Sequence, residues 1–295
     1  MKKFCFFIII LFFTKTTFAV EFQGKFIQGH FIIGKTESST KVLIDKKEVR
    51  VTDDGFFAFG IGRDRKYDVV ITLNKDGNKQ KIVKKVFKRK YNIQRIDGLP
   101  EEKVTPPEEM YERIKKENKL IGDAKAIDSN LTHFKNKFTV PIENTIITGV
   151  YGSQRILNDE LKWPHYGLDF AADEGTKIEA MLDGVVTLAE LDLYYSGGTL
   201  IFDHGHGIST LYMHMQKLLV KKGQNIKQGD VIGTVGSTGR ATGAHLDVRL
   251  NWFQTRLDPA TALNIKWELN NKSIVANFTE KQFVYKKVEF ARPFH

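Results

Sequence analysis

Three short pieces of this 295-residue chain carry side chains able to do chemistry together: His165-Tyr-Gly-Leu-Asp169, Tyr212-Met-His214 and His245-Leu-Asp247. Five of the eight histidines, His165, His204, His206, His214 and His245, lie between Trp163 and Arg249. Residues two or four apart in an extended segment point the same way. His165 and Asp169 therefore converge on one face, while Leu168 and Phe170 turn to the other. The same parity sets His245 and Asp247 against Leu246 and Val248, and puts His214 with Tyr212 on a polar face opposite Leu211, Met213 and Met215. A borderline cation such as zinc accepts imidazole nitrogen and carboxylate oxygen, and a catalytic zinc site keeps three protein ligands and one open position. Five polar groups exceed that need. The remainder can serve as general base and as hydrogen-bond donor to a developing oxyanion, beside a water whose pKa the metal lowers.

Strands must hold these pieces. From Phe138 onward, glycine corners at Asp183-Gly184, Gly197-Gly198, Lys222-Gly223, Gln228-Gly229 and Gly233 to Gly243 separate apolar runs. Val185 to Leu188, Thr199 to Asp203, Ser209 to His214 and Val231 to Val235 read as strands of an antiparallel barrel or sandwich spanning residues 138–265. Residues 266–295 read as a C-terminal extension that adds two more strands. Upstream, residues 20–99 alternate short apolar runs with turn signals such as Asp53-Asp54-Gly55 and Asp76-Gly77, the texture of a small antiparallel sandwich. Its strands are expected over Phe22 to Ile33, Lys41 to Val51, Gly55 to Ile61, Tyr67 to Leu73 and Lys81 to Phe87. Between the two, residues 100–137 make a linker. Pro106-Pro107 opens a helix from Glu108 to Leu120, whose charged faces either pack on the C-terminal part or bridge solvent. The fold class is all-β with one short linker helix.

Residues 1–19 have the pattern of a cleaved secretory signal: Lys2 and Lys3, an apolar run from Phe4 to Phe13, and small residues at Thr17-Phe18-Ala19. The run is shorter than the roughly 20 residues of a membrane span. The single cysteine, Cys5, lies inside it. A periplasmic or secreted chain without disulfides must then rest on core burial, helped by a metal. The mean hydropathy of -0.30 argues against an integral membrane protein. The formal charge is +10, and removing the leader with Lys2, Lys3 and Lys15 leaves +7. Such a surface suits an anionic wall polymer or lipid, and no segment has the pattern of a nucleic-acid-binding module.

The run from about Val150 to Pro259 resembles the lysostaphin/LytM-type zinc metallopeptidases, which cleave peptide cross-links of bacterial peptidoglycan. The resemblance is carried by His165-x-x-x-Asp169, by Gly197 to Gly205 ahead of Leu211-Tyr-Met-His214, by Gly229 to Gly239, and by Thr242-Gly-Ala-His245-Leu-Asp247, with Val150 to Arg155 and Pro164 as lead-in. It implies a β-fold of the LytM type and one zinc ion held by His165, Asp169 and Asp247. It makes His214 and His245 the catalytic histidines of a metalloendopeptidase that attacks peptidoglycan stem peptides with a metal-activated water. This chain departs from the family's pattern in one place. The last motif is usually His-x-His, with its second histidine on the metal, and that place holds Asp247. Carboxylate oxygen is an ordinary zinc ligand, but one histidine with two aspartates makes a harder, more anionic set. The alternative assignment turns His245 onto the metal and leaves His214 alone in catalysis. The same substitution supports a rival function, a non-catalytic regulator of this fold that activates a cell-wall amidase or binds a divisome or elongation protein.

Arg155 offers a planar fork for a substrate carboxylate, and Tyr194, Tyr195, Tyr166 and Trp163 are expected as aromatic walls of a groove. Asp203-His-Gly-His-Gly207 looks like a metal motif but reads better as a solvent-exposed hairpin. Ser237 and Thr238 lack the paired base or following helix that a nucleophile or phosphate loop requires.

Overall fold

The computed structural model describes residues 18–98 and 104–263. The leader, except Phe18 and Ala19, and the extension expected over 266–295 lie outside the described residues.

The N-terminal strands are β1 (Glu21–Gln23), β2 (Phe31–Lys35), β3 (Lys41–Ile44), β4 (Lys47–Val49), β5 (Phe56–Gly60), β6 (Val69–Lys75) and β7 (Asn78–Lys84). They form a three-stranded sheet, β1-β2-β5, and a four-stranded sheet, β4-β3-β6-β7. Ile32, Phe57 and Phe59 from the first meet Val42, Ile44, Val69, Ile71 and Leu73 from the second in one core. Two expected strands divide. Phe22 to Ile33 breaks at Gly24 and Gly29, both at positive φ, and Lys41 to Val51 folds back at Asp45-Lys46, where φ is 49° and 78°.

The β1-β2-β5 sheet is buried on both faces. Phe31, Ile33 and Ala58, alternating with the residues above, join the larger core of the C-terminal part. This is why Phe31-Ile32-Ile33 and Phe56 to Phe59 are continuous apolar runs instead of an in-out alternation. Leu257 lies so close to Gly60 that a Cβ there would stand 2.4 Å from its side chain. Arg89 and the buried Asp258 pair at 2.6 Å across the same junction.

Next come β8 (Ile93–Ile96) and α1 (Tyr111–Lys125). Helix α1 starts three residues later and runs five residues further than the sequence pattern suggests, with Glu108–Met110 as a 3-10 turn before it. Lys119–Asp123 pairs at i,i+4 on its outer face, while Arg113 of the Arg113–Glu117 pair also meets Asp192. Its inner face packs: Leu120, Ile121 and Ala124 cover Leu188, Leu193, Ile201, Leu211 and Met213.

The C-terminal part contains β9 (Ile146–Gly149), β10 (Gln154–Leu157), β11 (Glu160–Leu161), β12 (Leu168–Ala171), β13 (Lys177–Glu179), β14 (Gly184–Leu193), β15 (Gly197–Asp203), β16 (Ile208–Leu218), β17 (Asn225–Ile226), β18 (Val231–Val235), β19 (His245–Trp252) and β20 (Thr255–Leu257). Ten of them make one sheet with the path β17-β14-β15-β16-β19-β12-β9, where β18 adds to β16, β13 to β18 and β20 to β19. The pairings among the described residues curl this sheet without closing it into a barrel. Strand β8 pairs in parallel with β10, and β11 completes a separate three-stranded sheet just before His165.

Helix α1 corrects one sequence reading. Tyr212 is not on a polar face: it is fully buried in the main core, and its hydroxyl accepts from the Met181 amide at 3.0 Å. Leu211 and Met213 face the helix instead. With both faces of β16 covered, polarity no longer marks the outer one.

Candidate metal centre

Strands β12 and β19 lie side by side with Asp169 directly opposite Asp247. Leu168, Phe170, Leu246 and Val248 point into the core, as parity requires. The two carboxylates are thereby forced together on the other face, where like charges repel. His165, in the irregular segment before β12, completes the group: one ligand atom each from His165, Asp169 and Asp247 lies within 4.8 Å of the others. His165 Nε2, Asp169 Oδ1 and Asp247 Oδ1 are all buried without a hydrogen-bond partner. Converging, desolvated nitrogen and oxygen donors of this kind are what a zinc ion requires, so the donor set fits the metal.

Two glycines leave room for the carboxylates. A Cβ at Gly149 would sit 2.0 Å from Asp169 Oδ2, and one at Gly167 would sit 1.9 Å from Asp247 Oδ1 and 2.6 Å from the Val248 carbonyl. Arg249, two residues along the same face of β19, donates from Nη2 to Asp247 Oδ2 at 3.0 Å. Burial raises the Asp247 pKa, but Arg249, then His165, more than offset it, and the carboxyl is held below the ordinary carboxylate range. Arg155 Nη2 lies 2.9 Å from His165 Nδ1 and 3.9 Å from Asp169 Oδ2. A guanidinium can only donate, so the Arg155 contact meets a lone pair on His165 Nδ1; a ring that held a cation through Nε2 would carry its proton on Nδ1, and Arg155 would have to release it.

His214 and His245 flank the group, their ring centroids 4.8 Å apart. Each donates from Nδ1 to a backbone carbonyl, Thr238 and Gly243 respectively, at 2.8 Å. These bonds fix the tautomer and leave Nε2 as a lone-pair acceptor. His245 Nε2 is 4.0 Å from Asp169 Oδ1. Burial lowers the His214 pKa, the nearby Asp247 charge opposing it, which favours the neutral ring. His214 itself sits at φ 63°. The register passes from Leu200↔Tyr212 to Gly198↔Met215, so Met213 and His214 together face Thr199. This β-bulge aims the ring at the site, at a backbone cost of roughly 1–2 kcal/mol for a non-glycine residue.

The other candidates are placed as follows. Tyr194 and Tyr195 meet edge to face at 5.0 Å in the loop that borders His214, whose amide bonds the Ser196 carbonyl at 2.8 Å. Glu117 of α1 accepts from the Tyr194 amide at 2.8 Å, and Arg240 lies 4.5 Å over the Tyr195 ring. Trp163 is exposed, whereas Tyr166 packs against Tyr151 and Arg256. Ser237 bonds Glu174, and Thr238 bonds the Met215 carbonyl and the Gly198 amide, so both are structural. The expectation that Asp203 to Gly207 is solvent-exposed is wrong. His204 is fully buried, with Nδ1 on the Asp183 carbonyl at 2.7 Å and Nε2 on Thr210 Oγ1 at 2.8 Å. His206 is buried against Phe134, ring centroids 4.6 Å apart. Residues after α1 cover the hairpin: the Phe134 amide bonds the His204 carbonyl and the His206 amide bonds that of Ser129.

Sequence reasoning missed Arg249, Gly149, Gly167 and the carbonyls of Thr238 and Gly243. Only Arg249 left a signal, as the third polar residue of the alternation His245, Asp247, Arg249.

Residues 163–259, about a third of the chain, match the model of peptidase family M23. The crystal structure of a Pseudomonas aeruginosa protein assigned to peptidase M23 superposes with a TM-score of 0.62 at 25% identity, covering 81% of this chain and 95% of the other. Peptidoglycan DD-endopeptidase ShyA of Vibrio cholerae is 44% identical over 87 residues, 30% of this chain and 20% of that protein. The DD-carboxypeptidase/endopeptidase Mpg of Neisseria meningitidis serogroup B is 43% identical over 89 residues, again 30% and 20%. The matched segment is thus about a fifth of each curated relative.

Proposed function

We propose that the chain is an exported zinc metalloendopeptidase that hydrolyses amide bonds in the stem peptides or cross-links of peptidoglycan. The observation that carries this reading is the convergence of three buried, unpartnered donor atoms of His165, Asp169 and Asp247 beside two histidines whose Nε2 lone pairs are left free. The named activities of the relatives ShyA and Mpg support the substrate class.

His165, Asp169 and Asp247 would hold the ion, which supplies Lewis-acid polarisation of the scissile carbonyl and a lowered water pKa. His214, neutral because buried, takes the proton of the attacking water on Nε2. That proton passes on to the leaving amine by way of the free Nε2 lone pair of His245, which while it holds the proton can donate to the developing oxyanion. Tyr194 and Tyr195 wall the cleft on the His214 side. The leader expected over residues 1–19 delivers the protein to the periplasm or exterior. The basic N-terminal sandwich, expected as a separate unit over 20–99, holds the catalytic part against its anionic substrate.

The rival reading, a regulator that activates a wall amidase, draws on the replacement of the third ligand by Asp247. The retention of both histidines with fixed tautomers favours the enzyme. Incubating purified residues 20–295 and zinc with isolated cross-linked muropeptides separates the two. Conversion of dimers to monomers is expected of the enzyme. A folded protein that leaves dimers intact but stimulates an added amidase contradicts it.

A further inference from the structure

A carboxylate in the third ligand position raises two physical problems. It brings a second negative charge opposite Asp169 in the β12–β19 register, and it has two oxygens where an imidazole has one nitrogen to offer. Arg249 answers both. Its Nη2 holds Asp247 Oδ2 at 3.0 Å, and among the described residues Asp247 is its one acidic partner. With Oδ2 engaged, Oδ1 is the oxygen left unpartnered beside His165 Nε2 and Asp169 Oδ1. The space that Gly167 leaves open is where Oδ1 sits. Asp247 and Arg249 are two apart on β19, so strand geometry alone delivers both to one face.

We propose that Arg249 is the positioning residue that lets an aspartate serve as third ligand: it clamps Oδ2, balances the added charge and presents Oδ1 as a single-oxygen donor. This rests on the reading of His165, Asp169 and Asp247 as a metal centre. Outer partners of metal ligands typically change affinity by about 10–100-fold when removed, and an effect of that size is expected here. If the pair works as a unit, removing Arg249 matters only while residue 247 is a carboxylate, because an imidazole needs no anion clamp.

The test is a double-mutant cycle read by zinc affinity in competition with a chromogenic chelator, on the full mature chain, with folding followed by circular dichroism. Arg249→Gln is expected to weaken zinc binding about 10–100-fold, and Arg249→Lys, which keeps the charge but not the fork, to recover part of the loss. Asp247→His should bind zinc, and adding Arg249→Gln to it should change affinity by less than about threefold. An equal loss in both backgrounds would show a merely structural arginine and overturn the proposal, as would unchanged affinity in Arg249→Gln. Should Arg249→Gln not fold, the same cycle is read with Arg249→Lys. A folded wild-type chain that binds no zinc overturns the metal centre itself and this assignment with it.

Discussion

His214 combines three constraints that no single residue type predicts: a φ of 63°, a bulge opposite Thr199 and an Nδ1 bond to the Thr238 carbonyl. Together they spend backbone strain to aim a neutral imidazole, which is the arrangement expected of a general base. His214→Gln should therefore lower turnover about 10²–10⁴-fold while zinc stoichiometry, measured by metal analysis, stays unchanged. Gly167 makes the opposite prediction. A Cβ there meets both Asp247 Oδ1 and the Val248 carbonyl, so Gly167→Ala should displace the ligand and cost at least about tenfold in zinc affinity. The five polar groups of the site were legible in the sequence because strand parity and motif order both point to them. The glycines that make room for the carboxylates, and the carbonyls that set the tautomers, were not. A glycine contributes by what it lacks, and a carbonyl has no residue type to read.

The strands were legible where one face is wet and the other dry, and less so where both are dry. Strand β16 illustrates this: Tyr212 enters one core and Leu211 and Met213 another, because α1 covers what would otherwise be the outer face. The hairpin at His204 was misread for the same reason, since the residues that bury it lie some 70 positions upstream. Its burial has a measurable consequence. Desolvation lowers the His204 pKa to about 4, and burial, helped by Arg89 and Lys25, does the same to His30. The unfolded chain, with histidine pKa near 6.5, then binds more protons than the native one between those values. Stability from these residues is complete above pH 6.5 and is lost as pH falls toward 4. Thermal or urea unfolding should show a loss on the order of 2 kcal/mol per histidine from pH 7 to pH 5, and His204→Asn, though less stable at pH 7, should show a shallower slope.

At the scale of the whole molecule, the N-terminal sheets and the C-terminal part share a core through Phe31, Ile33 and Ala58, while β8 pairs with β10 just upstream of His165. Among the described residues no helix is long and apolar enough to cross a membrane. The excess of basic residues, legible as a net charge, acquires a place: Lys79, Lys81 and Lys85 are exposed along β7 and the residues after it, and β7 is an edge of its sheet. Lysines on an edge strand also deter strand pairing, but if they bring the anionic substrate to the enzyme, K79E/K81E/K85E should weaken binding to isolated sacculi and flatten its salt dependence, with turnover of small soluble muropeptides unchanged. Equal sacculus binding by the variant would assign these lysines to solubility alone. The central claim, that His165, Asp169 and Asp247 hold one catalytic ion, is tested most directly by adding zinc to chelator-stripped protein and following cleavage of cross-linked muropeptide dimers. Activity should rise from near zero to a plateau at one equivalent of zinc. Activity that is full before zinc is added, or absent at every ratio in a folded protein, would contradict it.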